Sequence, residues 1–377
     1  MNIGITGQSG FVGSHLYNTL KLKDRFKLIS FEKSSFDSAD TLDKFVQSCD
    51  VIVHLAALNR HEDPKVIFDT NMHLVDQLIA SLERTQSNPH IVFSSSTQEA
   101  HENLYGQSKK EGKMRLMSWA KKNVGQLTSM TIPNVFGPFG KPNYNSVVAT
   151  FCYKVARGES PEIIKDNEIG LIYVNELVEE IIKVLDTTSA EVETKKIHDY
   201  PVAPRHYKKV SEILDLLLDY REDYQNKGVF PDLTDPFGRA LFNTYRCYIP
   251  CEHYPVYFTK NTDPRGSFVE ITRANTPGQF SYSTTLPGIT RGNHFHTRKA
   301  ERFAVIKGKA QIQLRRIGTD HVINYHLTGE NPSYVDMPIW YTHNITNTGN
   351  EELITLFWIN EPFNSKDPDT YFEDVIQ

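Results

Sequence analysis

The sequence is poor in features that would mark several large classes of protein. Four cysteines in 377 residues (Cys49, Cys152, Cys247, Cys251) are too few and too scattered for a disulfide framework, and Cys247 with Cys251 cannot complete a zinc site alone. They read as thiols of a reducing, cytoplasmic compartment. The longest apolar run, Val51–Leu58, contains His54 and falls far short of the ~20 residues a membrane span needs. No basic segment precedes the first strand-like residues, so no cleaved leader is expected. Charge of one sign is also lacking: 41 basic against 46 acidic side chains leave a net −5, which argues against nucleic acid or an anionic membrane surface as partner. Repeats and low-complexity tracts are absent.

What is present is enough apolar material for real cores, 39% of residues with aromatics at 11%, too much for a disordered chain. The length predicts two domains. Through residue 185, short β-branched runs (Asn2–Thr6, Lys27–Phe31, Val51–Leu55, His90–Ser94, Leu127–Ile132) alternate with helical patterns (Val12–Leu22, Asn71–Arg84, Asn175–Asp186). That alternation implies βαβ units and a doubly wound parallel sheet. From about residue 255 the pattern changes to short strands between turns, among them Ala304–Ile306, Ala310–Arg315, His321–Leu327 and Leu353–Trp358, which implies a small all-β barrel. Residues 188–250 show one clear helix, Val210–Tyr220, followed by Pro- and Asp-rich connections. The expected domains are 1–250 and 251–377.

Gly7, Gly10 and Gly13 follow the first strand and open a helix, where backbone can approach a pyrophosphate seated on the helix N-terminus. Further on, Tyr105 and Lys109 share one helix face at i and i+4. An ordinary tyrosine ionises near ~10, and a neighbouring ammonium is expected to lower that value toward proton exchange at a carbonyl or hydroxyl. Ser94–Ser96 close the fourth strand, where a hydroxyl can meet the same oxygen.

These features resemble the extended short-chain dehydrogenases/reductases that act on nucleotide sugars. The match rests on Thr6-Gly7-x-x-Gly10-Phe11-x-Gly13, Asp50-x-x-x-His54-Leu55-Ala56-Ala57, Asn71, Tyr105-x-x-x-Lys109, Pro133-Asn134-x-x-Gly137-Pro138 and Tyr173-Val174-Asn175. The resemblance implies that the glycines, Phe11, Ala56 and Ala57 hold the dinucleotide. It implies that Ser96, Tyr105 and Lys109 do the chemistry, with Lys109 also on the cofactor, and that Asn134 and Asn143 hold the sugar nucleotide. Two departures matter. Thr97-Gln98-Glu99 supplies no Asp for expelling a 6-hydroxyl, which disfavours dehydration. Glu32-Lys33 at the second strand's end offers both a carboxylate for a ribose 2′-hydroxyl and a cation for a 2′-phosphate. The residues leave NADPH and NADH open; the resemblance leans to NADPH.

In the β-rich half the spacing is Gly288-x5-His294-x-His296-x4-Glu301-x6-Gly308, then Pro338-x-Trp340-x-x-His343. On a strand, His294 and His296 face one side. Three imidazoles and a carboxylate suit one divalent metal, zinc first, with iron, nickel or manganese as competitors. This resembles the two metal motifs of cupin barrels, with Trp340 standing where a glycine is usual; packing is the expected role of Trp340. Asp263-x-Arg265-Gly266 resembles the start of sugar 3- or 3,5-epimerase cupins and equally fits a type I turn.

Together the halves resemble the bifunctional enzymes of capsular polysaccharide synthesis. Lys141–Ser146, Gly292-Asn293-His294 and Asp367-x-Asp369-Thr370-Tyr371-Phe372 carry that likeness. It implies C3 epimerisation of a UDP-2-acetamido-2,6-dideoxy-4-hexulose in the cupin and reduction at C4 in the other domain, on the route to UDP-N-acetyl-L-fucosamine. It also implies a homodimer. Competing readings are a sugar-nucleotide 4-epimerase and a non-catalytic dinucleotide sensor with a ligand-binding cupin.

Overall fold

A computed structural model describes every residue except Val124, 190–195, Arg265 and Gln377; Arg265 of the expected epimerase-like turn therefore lies outside the described residues. The chain divides into two compact units. One comprises Met1–Val147 with Asp166–Val210, and the other Val148–Lys165 with Ser211–Gln377.

The first unit is built from β1 (Asn2–Thr6), α1 (Phe11–Lys21), β2 (Lys27–Ile29), α2 (Ala39–Gln47), β3 (Val51–His54), α3 (Pro64–Thr85), β4 (His90–Ser96), α4 (Leu104–Asn123) and β5 (Gln126–Ile132). The strands form one sheet in the order β2-β1-β3-β4-β5, with Ile197–Pro201 beside β5, and every pairing is parallel. Alternation along the strands fills both faces. Ile3, Ile5, Val51, Val53 and Val92 pack with Leu16 and Leu20 of α1 and Leu177 and Ile181 of the helix Val174–Ser189. Ile52, Ile91 and Phe93 pack with Phe45 of α2, Leu78 of α3 and Leu116 of α4. A sheet covered on both faces needs such continuous apolar runs, and β3 is buried throughout. Because β1 has β2 on one side and β3 on the other, chain direction reverses there. The carboxyl ends of β1 and β3 flank the crevice where doubly wound sheets bind ligands. A separate three-stranded sheet of Asn134–Phe136, Glu168–Tyr173 and His206–Lys209 was not expected from sequence.

The second unit contains two five-stranded antiparallel sheets. One runs Val256–Tyr257, Ser333–Met337, Glu301–Lys307, Leu353–Ile359, Gln279–Thr285; the other Val322–Thr328, Lys309–Arg316, Tyr341–Asn347, Thr290–Phe295, Tyr371–Phe372. Between them lie Phe303, Val305, Ile312, Leu314, Val335, Met337, Ile345 and Leu353. The parallel sheet followed by an antiparallel, cupin-like β unit agrees with the fold class read from sequence.

Residues 211–250 cluster with this β unit. Besides the helix Val210–Asp219, they hold a second helix, Pro236–Arg246, where the sequence pattern predicts connections. Its start signals were there: Asp235 accepts from the Gly238 amide at 2.6 Å and Pro236 opens the first turn. Strand alternation explains the attachment. Glu301, Phe303 and Val305 share one parity and Arg302 has the other. Arg302 donates to both Asp336 oxygens at 2.8 and 3.0 Å and to the Gly228 carbonyl at 3.1 Å, while Tyr224 donates to Asp336 at 2.7 Å. Arg302 and Asp336 are each only 2% exposed. Removing one partner of such a pair costs about 3–5 kcal/mol.

Candidate active sites

The glycine turn is shaped by contact, not only by flexibility. Gly7, just past β1, has φ +76°, and a Cβ there would sit 2.8 Å from the Ala56 amide nitrogen. A Cβ on Gly13 would sit 2.1 Å from the Gly7 carbonyl oxygen. Gly10 precedes α1 and donates to the Gly7 carbonyl at 2.9 Å. No side chain caps α1 and its first turn, opened by Phe11, holds no acid. A helix end with neither is suited to an anion. Ala56 and Ala57 follow β3, and the Ala56 amide donates to Thr6 Oγ1 at 3.4 Å. Thr6 Oγ1 also meets His54 Nδ1 at 2.8 Å. Burial, and secondarily Lys109, pushes His54 down to about 3, so it is neutral at pH 7.

Asn71 pins the loop after β3: its side chain accepts from Leu58 N at 2.7 Å and donates to Leu58 O and Ser108 Oγ at 2.9 Å each. Glu32 and Lys33 lie beyond β2, at the start of a short 3-10 turn, rather than at the strand end. Glu32 takes part in that turn's capping box and accepts from Ser34 Oγ at 3.3 Å, and both Glu32 and Lys33 are exposed.

Ser96 ends β4, its Oγ accepting from Gln98 N at 3.2 Å. Tyr105 stands in the first turn of α4, which begins where Asn103 Oδ1 accepts the Gly106 amide at 2.8 Å. Gly106 presses on the turn after β4, since a Cβ would lie 2.0 Å from Gln98 O. Asn103 and Gly106 thus seat Tyr105 beside the end of β4; sequence reading missed both, although Asx-x-x-Gly at a helix start is a capping signal. Lys109, 4% exposed, donates to Ser94 Oγ at 3.4 Å and lies 5.8 Å from the Tyr105 ring centre. Burial pushes Lys109 down to about 8, with Glu99 opposing. Tyr105 departs from expectation: burial, with a smaller contribution from Tyr144, pushes it up to about 12. Desolvation of the phenolate sets the direction, so Tyr105 keeps its proton at neutral pH.

Asn134 lies exposed on the separate three-stranded sheet, donating to Gly170 O at 3.3 Å. Asn143 has φ +54°, and its carbonyl accepts from Arg60 at 3.1 Å; Arg60 also donates to the Tyr144 carbonyl. Arg60 and Tyr144 were not singled out from sequence. They join the loop after β3 to the segment that brings Tyr144 near Tyr105.

In the β unit, His294, His296, Glu301 and His343 do come together, with one donor atom from each within 4.8 Å of the others. His294 is the last residue but one of its strand, Thr290–Phe295, and follows a register shift between Gly292 and His294, where Asn293 has φ +58°. His296 lies one residue past the strand, so the pair is aimed by a bulge and a turn rather than by plain alternation. His296 Nδ1 donates to Asp369 O at 2.5 Å and His343 Nδ1 to Tyr341 O at 3.1 Å. A carbonyl only accepts, so these nitrogens carry the protons and each Nε2 is left to face Glu301 Oε2, at 3.3 and 3.2 Å.

Burial, then the neighbouring imidazoles, pushes His294 down to about 4. His343 Nε2 is buried without a hydrogen-bond partner. Imidazole lone pairs converging on one carboxylate call for a cation among them, and an orphaned buried Nε2 is what a metal would satisfy. Trp340 is 3% exposed, has φ +60° and stacks on Phe295 at 5.5 Å, the packing role expected of it.

Known proteins match both halves. Residues 3–200 match the NAD dependent epimerase/dehydratase family, and residues 261–371 the Polysaccharide biosynthesis C-terminal domain. A UDP-2-acetamido-2,6-beta-L-arabino-hexul-4-ose reductase of Pseudomonas aeruginosa is 32% identical over 372 residues, 98% of each chain. The crystal structure of the capsular polysaccharide assembling protein CapF from Staphylococcus aureus is similar over 99% of this chain and 100% of its own, at 34% identity and a TM-score of 0.62. The structure of RMD from P. aeruginosa complexed with NADPH, at 20% identity and a TM-score of 0.51, shares the fold over 59% of this chain and 82% of its own. No helix among the described residues is long and apolar enough to cross a membrane. The chain belongs to the NAD dependent epimerase/dehydratase family and carries the Polysaccharide biosynthesis C-terminal domain behind it.

Proposed function

We propose that the chain is a bifunctional nucleotide-sugar enzyme acting on UDP-2-acetamido-2,6-dideoxy-4-hexulose. Its β unit inverts C3 and its α/β unit reduces the C4 ketone, giving UDP-2-acetamido-2,6-dideoxy-L-talose toward UDP-N-acetyl-L-fucosamine and a capsular or O-antigen polysaccharide. The observation that carries this reading is the similarity along 98% of both chains to a hexulose reductase.

Gly7, Gly10, Phe11, Gly13, Ala56 and Ala57 would hold the dinucleotide, which when bound supplies hydride for C4. Glu32 and Lys33 are both exposed, and Lys33 would meet a 2′-phosphate, with NADPH taken over NADH on the resemblance to nucleotide-sugar reductases. Ser96 donates a hydrogen bond to the ketone oxygen, Tyr105 protonates the alkoxide that forms, and Lys109 offsets the resulting phenolate. Asn134 and Asn143 hold the nucleotide sugar. Asn143 does so in the segment that Arg60 ties down.

His294, His296, Glu301 and His343 would hold one divalent metal, zinc by donor type, which when bound supplies either Lewis acidity at the ketone or bracing of the pocket. The proton at C3 is acidic because the enolate delocalises onto the C4 oxygen. Reduction falls to the α/β unit and epimerisation to the β unit, with residues 211–250 clustering with the β unit rather than with residues 1–210 as expected. The enzyme works in the cytoplasm as a homodimer. The test is to mix protein, NADPH and the UDP-4-keto sugar and follow the reduced-nicotinamide absorbance. Stoichiometric loss is expected; tightly held NAD with no net consumption would mark a 4-epimerase instead.

A further inference from the structure

The metal-ligand group depends on a residue that none of the roles above uses. Asp369 is 1% exposed and lies in the C-terminal segment with φ +42°, a left-handed conformation that Asp tolerates better than most residues. Its carboxylate accepts from three successive backbone amides: Thr297 N at 3.0 Å on one oxygen, Arg298 N at 3.1 Å and Lys299 N at 3.2 Å on the other. Thr297 Oγ1 adds a fourth bond at 2.6 Å. Consecutive amides converging on one anion form a nest. This nest is the turn joining His296 to Glu301, two of the four ligands. The carbonyl of Asp369 meanwhile receives His296 Nδ1 at 2.5 Å.

The same tail is secured around that point. Lys299 Nζ donates to Pro368 O at 2.6 Å, Arg298 pairs with Asp367 at 2.8 Å, and Phe372 pairs in register with His294. One residue therefore fixes the ring of His296, through its backbone, and the turn that sets the spacing of His296 to Glu301, through its side chain.

We propose that Asp369 is a positioning residue for the metal centre, and that the segment Asp367–Phe372 is a latch holding the ligand turn in its metal-competent form. The inference rests on the reading that His294, His296, Glu301 and His343 bind a divalent metal. Asp369→Asn keeps size but sets an NH2 group against the Arg298 and Lys299 amides.

The experiment is a chelator competition with zinc on the full chain, together with the visible spectrum of the cobalt-loaded protein. Asp369→Asn is expected to weaken zinc about 10- to 100-fold, the range seen for groups that orient metal ligands, and to change the cobalt bands as His296 and Glu301 shift. If this variant does not fold, Thr297→Val, which removes one of the four donors, is expected to weaken zinc severalfold in a folded protein. A role in packing alone would lower the melting temperature and leave affinity and spectrum as in wild type; zinc affinity within twofold of wild type overturns the proposal. Wild-type protein that takes up neither zinc nor cobalt overturns the metal reading itself, and the latch with it.

Discussion

Replacing Gly13 by alanine probes the nucleotide cradle at its tightest point. The added Cβ would lie 2.1 Å from Gly7 O and 2.8 Å from Gln8 Cα, against 3.4 Å for the onset of ordinary contact. Both obstacles are backbone, so no side chain can swing aside; the turn must move by roughly 1 Å or stay compressed. Overpacking of this kind costs about 1–3 kcal/mol. If the turn relaxes away from its cofactor-holding form, restoring that form on binding draws on the same energy, and NADPH binds roughly 5- to 150-fold more weakly. Gly10→Ala is the internal comparison. Its Cβ meets only Gly7 O at 3.1 Å, which a shift of a few tenths of an ångström relieves, so it should stay within a few-fold of wild type. Titration of nicotinamide fluorescence gives both dissociation constants. Wild-type affinity in Gly13→Ala, or a larger loss in Gly10→Ala, would refute the cradle.

Lys109→Met should abolish reduction yet raise the melting temperature. Burial holds Lys109 at about 8 against 10.5 for a free lysine, so its destabilising share is present in full below about pH 8, fades as pH rises from 8 to 10.5 and is gone above that; calorimetry at pH 7 should show a gain on the order of 3 kcal/mol. Lys33→Ala should raise the KM for NADPH and leave that for NADH nearly unchanged; equal effects on both would place the 2′-phosphate elsewhere. Dialysis against chelator, or alanine at His294, His296, Glu301 or His343, should lower the melting transition of the β unit while NADPH binding persists, because the glycine turn lies in a unit with its own core. Loss of NADPH binding on metal removal would contradict that independence.

The parts of this molecule that were readable from sequence are those set by local periodicity or by residue types with few alternative uses. Period-two and continuous apolar runs located β1, β3, β4 and β5, since a strand buried on both faces tolerates little else. The clustering of His294, His296, Glu301 and His343 was readable because their spacing resembles the two metal motifs of cupin barrels. Readings failed where the decisive contact is non-local. Asp369 touches Thr297 across 72 residues, and nothing in its neighbours' spacing announces the nest. The attachment of residues 211–250 to the β unit turns on Arg302 and Asp336, whose outward parity looks like a solvated face until Tyr224 covers it. The helix Pro236–Arg246 is hard to read from sequence because Asp and Pro favour loops as readily as they serve as the cap and first residue of a helix. For Tyr105, spacing put the ammonium nearby but could not tell how dry the site is, and desolvation sets the sign of the shift.

The central claim, two separate chemistries on one chain, is tested most directly by Tyr105→Phe in deuterated water. The protein is supplied with NADPH and the UDP-4-keto sugar, and the sugar is read by NMR. Loss of the only proposed proton donor at C4 should stop reduction, while C3 takes up deuterium at the wild-type rate, because that exchange belongs to the β unit. Normal reduction by Tyr105→Phe, or a reduced wild-type product with no deuterium at C3, would contradict the account.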